Sequence, residues 1–112
     1  MIETRVFFPN NEQEQVIVEP GRVTRKVLAH GGKLMGVEVN FIAGACGYEH
    51  RHEHEQICYC LSGEFVFTVE EKSSKIKAGD SVYIPASALH GATCIADGRL
   101  LDIFTPQRED FL

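Results

Sequence analysis

Glycine and proline interrupt this chain at short intervals, at Pro20, Gly21, Gly31, Gly32, Gly44, Gly47, Gly63, Gly79, Pro85, Gly98 and Pro106. Glycine admits backbone conformations that other residues avoid and proline removes a hydrogen-bond donor, so each tends to end a regular element. The stretches between them leave little room for helices. VTRKVLA, KLMGVEVNFIA, QICYCL, EFVFTVEE, SSKIKA, SVYIP, ATCIA and RLLDIF are instead rich in Val, Ile, Phe and Tyr with partial alternation, as half-buried strands require. Eight or so short strands in 112 residues predict an all-β antiparallel sandwich or barrel, with residues 1–112 forming a single domain. Leu61, Ser62, Gly63 and Glu64, between QICYC and FVFTV, read as a tight hairpin turn.

Charge narrows the partners. The net charge is −5 and the eleven Lys and Arg residues are spread along the chain, whereas phosphate binding needs them clustered, so neither DNA nor RNA is expected. The opening MIETRVFFPNNEQEQ puts charges where a signal peptide needs an apolar core, and no apolar run approaches the roughly eighteen residues of a membrane span. The expectation is a cytoplasmic protein with no membrane partner. In that compartment Cys46, Cys58, Cys60 and Cys94 are free thiols or ligands rather than disulfides.

Residues 44–63, GACGYEHRHEHEQICYCLSG, crowd histidines, acids and thiols together. Alternate residues of an extended chain point the same way, so His50 and His52 can present both imidazoles to one point. Gln56 follows after a turn, and the later GDSVYIPASALHGATC delivers His90 from a glycine and proline frame. Three nitrogens and one oxygen would suit one divalent cation per chain, zinc, nickel, iron, manganese or cobalt, while histidines so spaced on a strand also serve as surface or packing residues. A neutral amide in place of a carboxylate leaves the ion its full charge, which favours Lewis-acid over redox chemistry. The turn before Gln56 is expected to swing His54 outward, and Glu49, Arg51, Glu53 and Glu55 read as a solvated loop face. Alternation places Cys58, Cys60 and Cys94 inside, as barrel filling, a second metal site or a substrate contact.

The ending RLLDIFTPQREDFL holds the remaining chemistry. Asp102 and Phe104 share a strand face, and Arg108 follows the Pro106 turn. An aspartate in an apolar strand is costly unless paired or functional. If that face lines the barrel, Asp102 is a proton-transfer group, Phe104 an apolar wall and Arg108 a bidentate carboxylate clamp. Otherwise Asp102 points outward, or pairs with Arg108 or Arg99 for structure alone.

These stretches resemble the two motifs of the cupin superfamily, small metal-binding jelly-roll barrels. G-x5-H-x-H-x3,4-E-x6-G fits Gly44, His50, His52, Gln56 and Gly63; G-x5-P-x-G-x2-H-x3-N fits Gly79, Pro85, Ser87, His90 and Cys94. Gln56, Ser87 and Cys94 depart from the consensus residues. HEHEQICYCLSGEFVFTV, AGDSVYIPASALHGATC and DIFTPQREDFL further resemble the KdgF-type cupins of pectin and alginate catabolism. That resemblance implies a small-molecule substrate, a 4,5-unsaturated monouronate opened and ketonised to a linear sugar, with a metal on His50, His52, Gln56 and His90. It places the functional Asp, Phe and Arg at Asp102, Phe104 and Arg108. A cupin dioxygenase, a polyketide cyclase and a non-catalytic sugar-binding or sensing cupin are the competing readings. Open barrel edges favour a homodimer.

Overall fold

The computed structural model describes residues 4–112, apart from the side chain of Tyr48. Its strands are β1 (Gln15–Glu19), β2 (Val23–Gly31), β3 (Leu34–Phe41), β4 (Cys46–His50), β5 (Glu55–Val69), β6 (Lys72–Lys77), β7 (Ser81–Ile84) and β8 (His90–Thr105). Short 3-10 turns occupy Asn10–Glu12 and Glu109–Phe111. All strand pairings are antiparallel, in the order β1-β2-β3-β8-β5-β6, with β4 added on β8 and β7 on β5. The molecule is the expected all-β jelly-roll barrel, and none of its described helices is long and apolar enough to cross a membrane.

The two longest strands build both leaves of the barrel. The first half of β5 lies between β7 and the end of β8, so that Gln56 stands opposite both Ile84 and Phe104. Its second half lies between β6 and the start of β8, where Phe67 stands opposite Ser74 and Ala92. β3, β2 and β1 extend the first leaf and β4 extends the second.

Residues 61–64 therefore do not form the predicted hairpin. They are the irregular passage by which β5 crosses between leaves, still pairing with β8 on either side. The glycine signal is real, since Gly63 has φ +82°, but it marks a kink within a continuous strand. ATCIA and RLLDIF likewise join into β8, while β1 and β4 were absent from the expected strands; two fusions and two omissions leave the total at eight. At the crossing the chains nearly touch. A Cβ on Gly98 would lie 2.2 Å from the Ser62 carbonyl oxygen, and one on Gly63 would lie 2.5 Å from that of Asp97.

Alternation sorts β5 cleanly. Gln56, Cys58 and Cys60 are buried while Glu55, Ile57 and Tyr59 face outward. Phe41, Phe65, Phe67, Ile76, Ile84 and Leu100 form the main core with Cys58, Cys60 and Cys94. All four cysteines are free, and burial pushes the thiols of Cys58, Cys60 and Cys94 above their ordinary pKa. A smaller cluster of Met35, Val37 and Phe104, with Phe111 packed against it, lies beside the site described below.

Gly98→Ala is expected to force the two long strands apart and cost about 1–3 kcal/mol, the usual penalty of overpacking. Equilibrium denaturation should show a lowered midpoint with an unchanged slope.

Candidate metal centre and cavity

Four elements bring the predicted ligands together. His50 ends β4, His52 sits two residues into the following loop, Gln56 is the second residue of β5 and His90 opens β8. β4 pairs with β8 so that His50 stands directly opposite His90. Ligand atoms of His50, His52 and His90 all lie within 4.8 Å of one another. The ring centroids are 4.3 Å apart for His50 and His90 and 4.7 Å for His52 and His90.

Hydrogen bonds fix which nitrogens face inward. His52 Nδ1 lies 2.9 Å from the His54 carbonyl and His90 Nδ1 lies 2.9 Å from the Ala88 carbonyl. A carbonyl can only accept, so each Nδ1 carries the hydrogen and each neutral ring keeps its lone pair on Nε2. Burial, reinforced by the charge of Arg108, lowers the pKa of His52, and burial takes His90 down to about 4. Both rings are therefore neutral at physiological pH.

His52 Nε2 lies 3.0 Å from Gln56 Oε1. The amide's other end donates from Nε2 to Asp102 Oδ1 at 2.8 Å, which orients the oxygen toward the imidazole. Two lone pairs thus converge with no hydrogen between them in the neutral tautomer. Neutral imidazole donors and an amide oxygen held by an outer carboxylate fit a divalent cation, and the three histidines fit a single metal site.

The loop that carries His52 is tied to the motif's second half. Ser87 N–H donates to the His52 carbonyl at 2.8 Å, and Arg51 Nη1 donates to the Ser87 carbonyl at 3.0 Å. Ser87 adopts φ +64°, so the turn keeps a conformation suited to glycine although serine stands there. His54 departs from expectation. It is half-buried, with its ring 5.4 Å from that of His52 and 6.4 Å from that of Phe104, because the bend lays it on the Phe104 wall instead of in solvent. It lies outside the three-histidine cluster, and its Nδ1 is buried without a hydrogen-bond partner.

A cavity of about 440 Å³ opens onto the cluster, and His50, Gln56, His90, Asp102, Phe104 and Arg108 are on its wall. Asp102 is half-buried and stands opposite Cys58 across the β5–β8 pairing. Burial raises its carboxyl to about 6, against the opposing effect of hydrogen bonds from the Cys58 thiol and the Gln56 amide. The Phe104 ring meets His52 edge-on at 5.6 Å. Arg108 lies over the rings of Phe104 and Phe111, at 5.2 and 4.2 Å from their centroids. Its Nε and Nη2 donate to the two carboxylate oxygens of Asp110 at 3.0 and 2.8 Å, and this holds Asp110 below the usual carboxylate range. One edge of the fork expected to meet a substrate carboxylate is thus engaged within the chain. Arg99 pairs with Glu38 and not with Asp102.

Arg25 and Phe111 also line the cavity, and neither lies in a motif that announces a site residue. Val23, Arg25 and Val27 share one face of β2, so a charge standing in an inward register was the available signal.

His90→Ala is expected to abolish stoichiometric metal binding, a larger loss than the roughly 10–100-fold cost of removing an outer-shell partner. Elemental analysis after dialysis against a divalent metal, compared with the unsubstituted protein, measures it.

Known proteins resemble this chain in sequence and fold. The family described as Cupin domain matches residues 37–104. The pectin degradation protein KdgF of Dickeya dadantii is 36% identical over 92 residues, covering 80% of this chain and 84% of that protein. The structure of KdgF from a Halomonas species is 40% identical with a TM-score of 0.90, covering 97% of this chain and 100% of that one. An RmlC-like cupin from Shewanella frigidimarina is 37% identical with a TM-score of 0.91, covering 97% of each chain. With the barrel, the histidine cluster and the similarity along its length in agreement, this chain belongs to the cupin family, in the group that includes KdgF.

Proposed function

We propose that the protein opens and ketonises 4,5-unsaturated monouronates, the monosaccharides left when lyases cleave uronate polymers such as pectin. The naming of a similar protein for pectin degradation supports the substrate class. The observation that carries the reaction is the placement of Asp102 on the same cavity wall as the histidine cluster, joined to it through Gln56.

His50, His52, Gln56 and His90 would hold the metal. A divalent cation bound there supplies Lewis-acid stabilisation of negative charge developing on a substrate oxygen. The protein's own groups do the rest. The reaction is an isomerisation: the anomeric O1–H loses its proton, the C1–O5 bond breaks to leave an aldehyde at C1, O5 becomes the C5 ketone, and C4 gains a proton. One residue can therefore carry the proton through the whole change. Asp102 takes it from O1 and delivers it to C4, and a carboxyl raised to about 6 is competent both as base and as acid near neutral pH. Phe104 forms the apolar wall that keeps the ring against Asp102 and limits water there. Arg108, steadied by Asp110, offers its remaining N–H donors to substrate oxygens.

Purified, metal-loaded protein mixed with 4,5-unsaturated galacturonate is expected to bleach the ultraviolet absorbance of the conjugated double bond, with a chelator abolishing the loss. Saturable binding with the absorbance unchanged would make the protein a sugar binder, and oxygen uptake would make it a dioxygenase. Asp102→Asn keeps an oxygen for the Gln56 amide, so it should retain the metal while turnover falls about 10²–10⁴-fold. Stopped assays beside metal analysis separate those two effects, and full activity would remove Asp102 from the mechanism.

A further inference from the structure

We propose that Arg25 is a substrate-binding residue of this cavity, the guanidinium that takes the sugar's carboxylate and so makes the pocket selective for uronates over neutral sugars. The assignment rests on the uronate reading above and adds a residue to it.

The two arginines on the cavity wall differ in how they are engaged. Arg108 has its Nε and Nη2 edge on Asp110, so one of its two carboxylate-matching edges is occupied. Arg25 also lies on the cavity wall, and its situation is the reverse. Its Nε is buried without a hydrogen-bond partner, and among the described residues no carboxylate pairs with its guanidinium. Glu19, the nearby acid on the same wall, pairs with Arg22 at 3.0 Å. A buried donor left unmatched in a pocket marks a place for an acceptor that the chain does not itself supply.

The side chain is also held in place. Its guanidinium lies 4.0 Å from the centroid of the Phe111 ring, the same ring that Arg108 covers at 4.2 Å. Arg25 stands opposite Val39 on β3, which in turn stands opposite Leu100, two residues before Asp102 on β8. Two strand spacings separate β2 from β8, about 10 Å. Arg25 and Asp102 line the same cavity, so a carboxylate held by Arg25 keeps the sugar ring in the space that Asp102 also faces.

The test compares Arg25→Gln and Arg25→Lys with the unsubstituted protein, all metal-loaded and checked for metal content and melting temperature. Binding of D-galacturonate and of neutral D-galactose is measured by NMR titration, and turnover of 4,5-unsaturated galacturonate by absorbance. Arg25→Gln is expected to weaken galacturonate at least tenfold, leave galactose within about twofold, and raise KM with kcat little changed. Arg25→Lys keeps the charge without the fork and should recover part of the loss. Equal weakening of both sugars, or unchanged galacturonate affinity, overturns the proposal, as does an unsubstituted protein that shows no preference for the anion. If that protein binds galacturonate without turning over the unsaturated sugar, the reaction reading fails, and Arg25 stands or falls on the ratio of the two affinities.

Discussion

The pairing of β5 with β8 is the interaction on which the rest of the molecule depends. The two strands stay hydrogen-bonded from Glu55 and Thr105 at one end to Val69 and His90 at the other. Along that ladder Gln56 meets Phe104, Cys58 meets Asp102 and Val69 meets His90. The pairing thereby carries a ligand, the apolar wall, the acidic group and the distant histidine on one continuous framework. β4 attaches to β8 at the same end and adds His50, and the loop beyond it adds His52. Groups spread over more than fifty positions of sequence converge because two strands are long enough to belong to both leaves of the barrel.

Side-chain polar contacts then do what backbone register cannot. An ordered series runs from Asp102 to the Gln56 amide, from its oxygen to His52, and from His52 Nδ1 to the His54 carbonyl. Each member limits the orientation of the next. Glutamine suits the middle position for a reason separate from metal charge: it donates an N–H to Asp102 at one end and presents an oxygen lone pair beside His52 Nε2 at the other. An ionised glutamate there could only accept, and would set a second carboxylate against Asp102, whose pKa burial has already raised. The acidic group and the metal centre are in this sense one structure.

Much of this was legible in the sequence, because periodicity and spacing report on registers that burial enforces. The alternation QICYC yields the inward placement of Gln56, Cys58 and Cys60, and the separations of His50, His52 and His90 within a glycine and proline frame yield the cluster. What failed was contextual. Gly63 signals a positive φ, but local sequence does not say whether the chain turns back or passes on, and here the close approach of Gly98 decides it. His54 was expected in solvent because alternation stops at a turn, and the attraction of its ring to Phe104 is a tertiary contact. The engagement of Arg108 by Asp110 is a local pair only two residues apart, yet it forms in a turn that the strand pattern does not describe. Arg25 lies far from the motifs, and only the sheet order brings it to the same cavity.

The continuity of β5 has a consequence for how such a barrel can change over time. Side chains on a strand alternate between two faces, so inserting or deleting one residue between Gln56 and Cys60 would turn core positions outward and outer positions inward from there onward. The kink at Gly63 offers no relief, because its neighbours across the crossing leave no room for added atoms. Length variation is thus confined to the connecting loops, and a lineage built on this scaffold acquires new substrates by exchanging side chains at constant spacing, with its two longest strands acting as a fixed ruler.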